Sequence, residues 1–141
     1  MTPQLTGVAQ VVSEINRRVN ALGGGSERGL LKAGLFLKKE SMKQVPVDTG
    51  FLKNSAITPQ LMRTMSNRIY VAVGYSAVYA PIVHENPYAG RTHGFGPRGQ
   101  KYSHWARKGK WKFLEDPLKA NVRALTGIIS GSVRGAIRRN P

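Results

Sequence analysis

Cysteine is absent from the 141 residues of the chain. Its absence excludes a disulfide framework, thiol catalysis and thiolate metal sites. Acidic residues are scarce: 7 Asp+Glu against 22 Lys+Arg leave a formal net charge of +15. A balance this basic favours phosphates, anionic lipid or an acidic protein as the partner. No apolar run approaches the roughly 20 residues that a membrane helix needs. Met1 to Val12 lacks a basic segment followed by an apolar core, so no signal peptide is expected. Internal repeats and low-complexity tracts are also missing.

The usual signatures of catalysis are missing as well. There is no Gly-x-Ser-x-Gly, and His84-Glu85 has no second histidine one helical turn on, so it is not a zinc-protease motif. Gly94-x-Gly96-x-x-Gly99 has the letters of a dinucleotide fingerprint. It neither follows a strand nor opens a helix, so it is set aside. His93 and His104 fall in a glycine-rich stretch and read as polar loop residues. No catalytic, cofactor or metal site is expected.

What remains is a chain with 40% hydrophobic and 21% charged residues, enough for one folded domain of modest core. The fold class expected is α+β: two N-terminal helices, a small antiparallel β-sheet, a long basic loop and a long C-terminal helix. Four regions follow: a helical part over 1–45, a corner, sheet and short helical turn over 46–86, a basic loop over 87–110, and a short strand with the last helix over 111–141.

Leu5, Val8, Val12, Ile15, Val19 and Leu22 recur at spacings of three and four and predict a first helix. Gly23-Gly24-Gly25 is expected to break it, since glycine is costly inside a helix. Ser26 then caps a second helix, which Pro46 stops at Val45. Pro46, Asp48, Thr49 and Gly50 form a structural corner: short polar side chains that bond nearby backbone, then a residue free to take positive φ. Lys53 to Gln60 is a candidate strand. Arg68 to Tyr75 alternates clearly, with Ile69, Val71, Val73 and Tyr75 on one face. Gly74 suggests a bulge or a close backbone approach. Pro81 opens a short helical turn that Asn86-Pro87 ends. Trp111 to Leu114 reads as a strand, and Glu115-Asp116-Pro117 opens the final helix. Along that helix Gly127, Gly131 and Gly135 suggest a close-packing groove.

From Tyr88 to Lys110 neither periodicity appears. Arg91, Arg98, Lys101, Arg107, Lys108 and Lys110 interleave there with Phe95, Tyr102 and Trp105, and Trp111 follows. Cations beside rings suit nucleic acid, where charge neutralises phosphate and rings stack on bases. They equally suit an arm that docks on an acidic neighbour with aromatic anchors. Nothing signals sequence-specific readout, so any contact with double-stranded DNA is expected to be non-specific.

Three blocks together resemble a known family. Val45-Pro46-Val47-Asp48-Thr49-Gly50-Phe51-Leu52-Lys53-Asn54-Ser55 is similar to the (A/V)-P-V-D-T-G-x-L-(K/R)-x-S signature of small head–tail joining, neck or tail-completion proteins of tailed bacteriophages. Val73-Gly74-Tyr75 with Val78 to Glu85, and Trp111 to Leu114 with Pro117-Leu118, resemble two further blocks in the same order. The chain departs from the pattern at Asn86-Pro87 and in the length of its basic loop. The resemblance implies a structural virion protein, not an enzyme, made in the host bacterial cytoplasm and placed at the head–tail junction. It implies a homo-oligomeric ring, a hexamer or dodecamer. Its neighbours would be head-closure or connector and tail-tube or tail-terminator proteins, with no cofactor and no membrane. Tyr70, Tyr79, Trp105 and Trp111 are then the expected interface anchors.

Overall fold

The computed structural model describes residues 8–47, 50–90, 94–95, 101–102 and 109–139. The α+β architecture is as expected: long helices at both ends with small antiparallel hairpins between them. The N-terminal part departs from expectation. α1 runs from Val8 to Gln44 as one helix of 37 residues, straight through the triple glycine. At 1.5 Å per residue it is about 55 Å long.

The glycines stay helical because another helix lies against them. A Cβ on Gly25 would stand 2.8 Å from Ala136 Cβ and 3.0 Å from Val133 Cα. One on Gly29 would stand 2.9 Å from Ile129 Cα. The helix over Val122–Arg139, α5 below, therefore crosses α1 antiparallel at near backbone contact. Packing offsets the propensity cost of about 1 kcal/mol per glycine. Ser26 is no cap either; its Oγ donates back to the Leu22 carbonyl at 2.9 Å, within the helix.

Pro46 does stop α1, which ends at Gln44. Gly50 takes φ 83 and starts α2, Phe51–Asn54, a single turn where a strand was expected. That turn carries Leu52 into the core beside Val45. Ala56 then bridges Tyr75, and the strand itself, β1, is Gln60–Arg63. It pairs antiparallel with β2, Ile69–Ala72, in the register Gln60 to Ala72 and Arg63 to Ile69. Asn67, at φ 58, turns the connection, where Thr64 and Arg68 exchange backbone hydrogen bonds. The alternation expected of β2 holds, with Ile69 and Val71 half-buried and Tyr70 and Ala72 exposed. The close approach suggested at Gly74 is absent: a Cβ there would meet nothing within 4 Å. It occurs at Gly34 of α1, against Val71 and Pro59.

α3, Ala80–Glu85, has Pro81 in its first turn as expected. Within the basic loop, β3 (Gly94–Phe95) pairs with β4 (Lys101–Tyr102), so the stretch has a short hairpin that periodicity could not reveal. Trp111 to Leu114 is a turn and not a strand, with Lys112 at φ 54. The last helix is split into α4, Glu115–Ala120, and α5, Val122–Arg139. Asn121 divides them. Its Nδ2 donates to the Pro117 carbonyl at 2.8 Å, a local bond that competes with the helical ladder.

The core is small: Val45, Leu52, Ala77, Ala80, Val83, Ala89 and Phe113, with Tyr75 and Leu114 packed against it. Phe113 is its largest fully buried side chain, and Tyr75 and His84 meet it edge-on at 5.2 and 5.0 Å. Ser41, with 0% exposure, shares a 2.7 Å hydrogen bond with the Tyr75 hydroxyl. Burial pushes that phenol's pKa up.

Candidate functional site

The corner and the ends of the basic loop are one site. Gly90 and Gly109, at φ 82 and φ 105, are the described residues that flank most of the loop. A Cβ on Gly90 would lie 2.0 Å from the Gly109 carbonyl oxygen. One on Gly109 would lie 2.5 Å from the nitrogen and Cα of Pro46. Only glycine fits either position, because both the dihedral and the space exclude a side chain. Lys110 N–H donates to the Gln44 carbonyl at 2.8 Å, using an acceptor freed at the end of α1. Pro46, buried, is thus the post against which both roots of the arm are held.

The residues singled out from the sequence divide as follows. Asp48, Thr49, Arg91, Arg98, Trp105, Arg107 and Lys108 lie outside the described residues. Lys101 is placed by its backbone, opposite Phe95. Lys110 pairs its ammonium with Asp116 of α4. Trp111 is exposed, with the Lys112 ammonium 5.8 Å from its ring centre. Tyr70 is exposed on β2, opposite Met62. Tyr79 stands just before α3 and stacks on Phe51, ring centres 6.1 Å apart. The site therefore joins Pro46, Gly50, Lys110 and Trp111 around one core, while Tyr79 marks a second surface.

Sequence reading overlooked part of that second surface. Val78 is 95% exposed and Ile82 71%, and both lie in the same helical turn as Tyr79, near exposed Phe51. Their spacing of four was the available signal.

A polar cluster sits beside the root. His84, Glu85 and Glu115 place ligand-type atoms within 4.8 Å of one another. Lys112 already holds that place: its ammonium is 2.8 Å from Glu85 and 2.7 Å from Glu115. Both ring nitrogens of His84 are engaged, Nδ1 with Glu85 at 2.7 Å and Nε2 with the Glu115 N–H at 3.4 Å. The cluster is better fitted to fixing the Lys112 turn than to receiving a metal. Lys112 and then Lys119 hold the Glu115 carboxyl down to about 2 from 4.5, and Glu85 is lowered by Lys112 and then His84. Among the described residues no helix is long and apolar enough to cross a membrane.

No family model matches the chain, and no curated protein or solved structure matches it.

Proposed function

We propose that this chain is a structural virion protein of the bacteriophage head–tail junction, a neck or tail-completion protein that assembles as a ring and joins head to tail. The observation that carries the proposal is the convergence of the three blocks of the resemblance. Val45 and Leu52 from the first, Ala80 and Val83 from the second, and Phe113 from the third all lie in one buried cluster. Three blocks far apart in sequence thus build one small hub, which is what a shared fold would keep. The arm held at Gly90, Gly109 and Pro46 suits a part presented to a neighbouring ring. The exposed Phe51–Tyr79 pair with Val78 and Ile82 suits contact between subunits. The role is assembly, with no catalytic chemistry.

Mass photometry of the purified chain tests this reading, with a hexamer-sized or larger ring expected. Virions lacking the gene should accumulate as separate heads and tails. A strict monomer that binds double-stranded DNA, losing affinity steeply with salt, would replace it with a small basic nucleic-acid-binding protein. The net charge of +15 is the observation that favours that second reading.

A further inference from the structure

The first part of α1 stands clear of the rest of the chain. Residues 9–20 are exposed except for half-buried Glu14, and α5 begins to cover α1 only around Gly25. On this free part the apolar residues are Val8, Val12, Ile15, Val19 and Leu22, at spacings of four, three, four and three. Of these, Val12, Ile15, Val19 and Leu22 are 41–57% exposed. Where the chain covers its own helix the spacing is different: Gly25, Gly29, Ala33, Leu37 and Ser41 are buried at steps of four. A strict seven-residue repeat keeps a narrow seam aimed at another helix only if the two supercoil. The change of period within one helix therefore separates two tasks.

We infer that the free end of α1 is a coiled-coil seam whose occupant is the same arm of a second copy of this chain. The first and fourth positions of the heptad, a and d, are Val12 and Val19 at a, and Val8, Ile15 and Leu22 at d. Charge supports a second copy over nucleic acid. Residues 8–22 contain Glu14, Arg17 and Arg18, so the arm is nearly neutral within a chain of +15. Both arginines close onto Glu14, at 2.6 and 2.7 Å, away from any partner's phosphate. Length excludes the chain's own remaining segments. The longest stretch outside the described residues is seven residues, about 10 Å as a helix, against about 15 Å from Val12 to Leu22. An isolated helix of this length is marginal in water, so a covering helix also stabilises the arm itself.

The pairing is parallel. Neighbours in a cyclic ring are related by rotation about one axis, which leaves their arms pointing the same way. In that register Arg18, at the g position, faces Gly23 of its neighbour and meets no like charge. The inference rests on the ring reading, since it names the contact by which copies meet.

The absence of cysteine makes the test clean. In the full-length chain, Ile15→Cys places two thiols at facing d positions, while Ser13→Cys places them on the far side of the helix. Mild oxidation should link Ile15→Cys chains at least about tenfold faster than Ser13→Cys chains. Val19→Asp should lower the assembly's mass by mass photometry with helical circular dichroism retained, because Val19 contributes nothing to the core. Equal linking of the two cysteine variants, or an unchanged mass in Val19→Asp, overturns the seam and leaves the ring reading standing. A wild-type chain that is monomeric throughout overturns both.

Discussion

Phe113 shows how much one side chain decides in a core this small. It is 1% exposed and meets both Tyr75 and His84 edge-on. Phe113→Ala should cost about 3–5 kcal/mol, read by urea denaturation, because the cavity opens at the centre of the hub. Trp111, two residues earlier and more conspicuous in the sequence, is exposed, so Trp111→Ala should cost under about 1 kcal/mol. Gly109→Ala should cost on the order of 2 kcal/mol through clash and unfavourable φ together. The Lys112 cluster gives a pH signature. Glu115 titrates at about 2 in the folded chain against 4.5 unfolded. A depressed carboxylate stabilises the fold above its unfolded value, and the contribution drains away as pH falls from 4.5 toward about 2. Glu85 shifts in the same direction. Melting temperature should therefore drop across that acid range, and Lys112→Gln should flatten the drop while lowering stability at neutral pH.

Between elements, the decisive contact is α1 against α5. The glycines that make it are Gly25 and Gly29, not the Gly127, Gly131 and Gly135 series expected from the sequence. A Cβ at Gly127 or Gly131 would meet nothing within 4 Å, and one at Gly135 only the Arg139 guanidinium at 3.5 Å. The series lies toward solvent because the buried face of α5 is Leu125, Ile128, Ile129, Ser132, Val133 and Ala136, half-buried or buried throughout. Opposite signs follow for one kind of substitution. Gly29→Ala should destabilise by about 1–3 kcal/mol, since backbone of α5 stands in the way. Gly131→Ala should stabilise by up to about 1 kcal/mol through helix propensity alone. Paired chemical denaturation curves measure both, and a stabilising Gly29→Ala would contradict the packing described.

At the scale of the molecule, a small hub carries a long free helix at one side and a basic arm at another. The arm's roots touch, so the hub does not need the arm to close. Replacing residues 91–108 by a short Gly-Ser link should shift the melting temperature little, because a shorter loop costs slightly less entropy to close. The same variant should lose docking to purified tail tubes or connectors, measured by co-sedimentation. A large loss of stability instead would mean that the arm packs on the hub and is not free to dock.

Some of this was legible in residue order because its cause is local. Pro46 stops α1 through its own ring. Gly50 takes the positive φ that the turn requires, and the alternation of Ile69 to Ala72 follows from the strand's period of two. The charge of +15 and the 4-3-4-3 stripe on α1 are likewise properties of the order alone. Contacts between distant residues were not legible. Gly23-Gly24-Gly25 signals a break by local propensity, yet the helix continues because α5, more than 100 residues on, lies against Gly25. Trp111 to Leu114 has the residues of a strand, but Lys112 is held in a turn by the His84 carbonyl and by Glu85 and Glu115. Gly90, Gly109 and Pro46 meet only because the chain returns to its corner. Local sterics and periodicity are written residue by residue; which backbone comes near which is decided only when the whole chain packs, and there the arm acquires its fixed root.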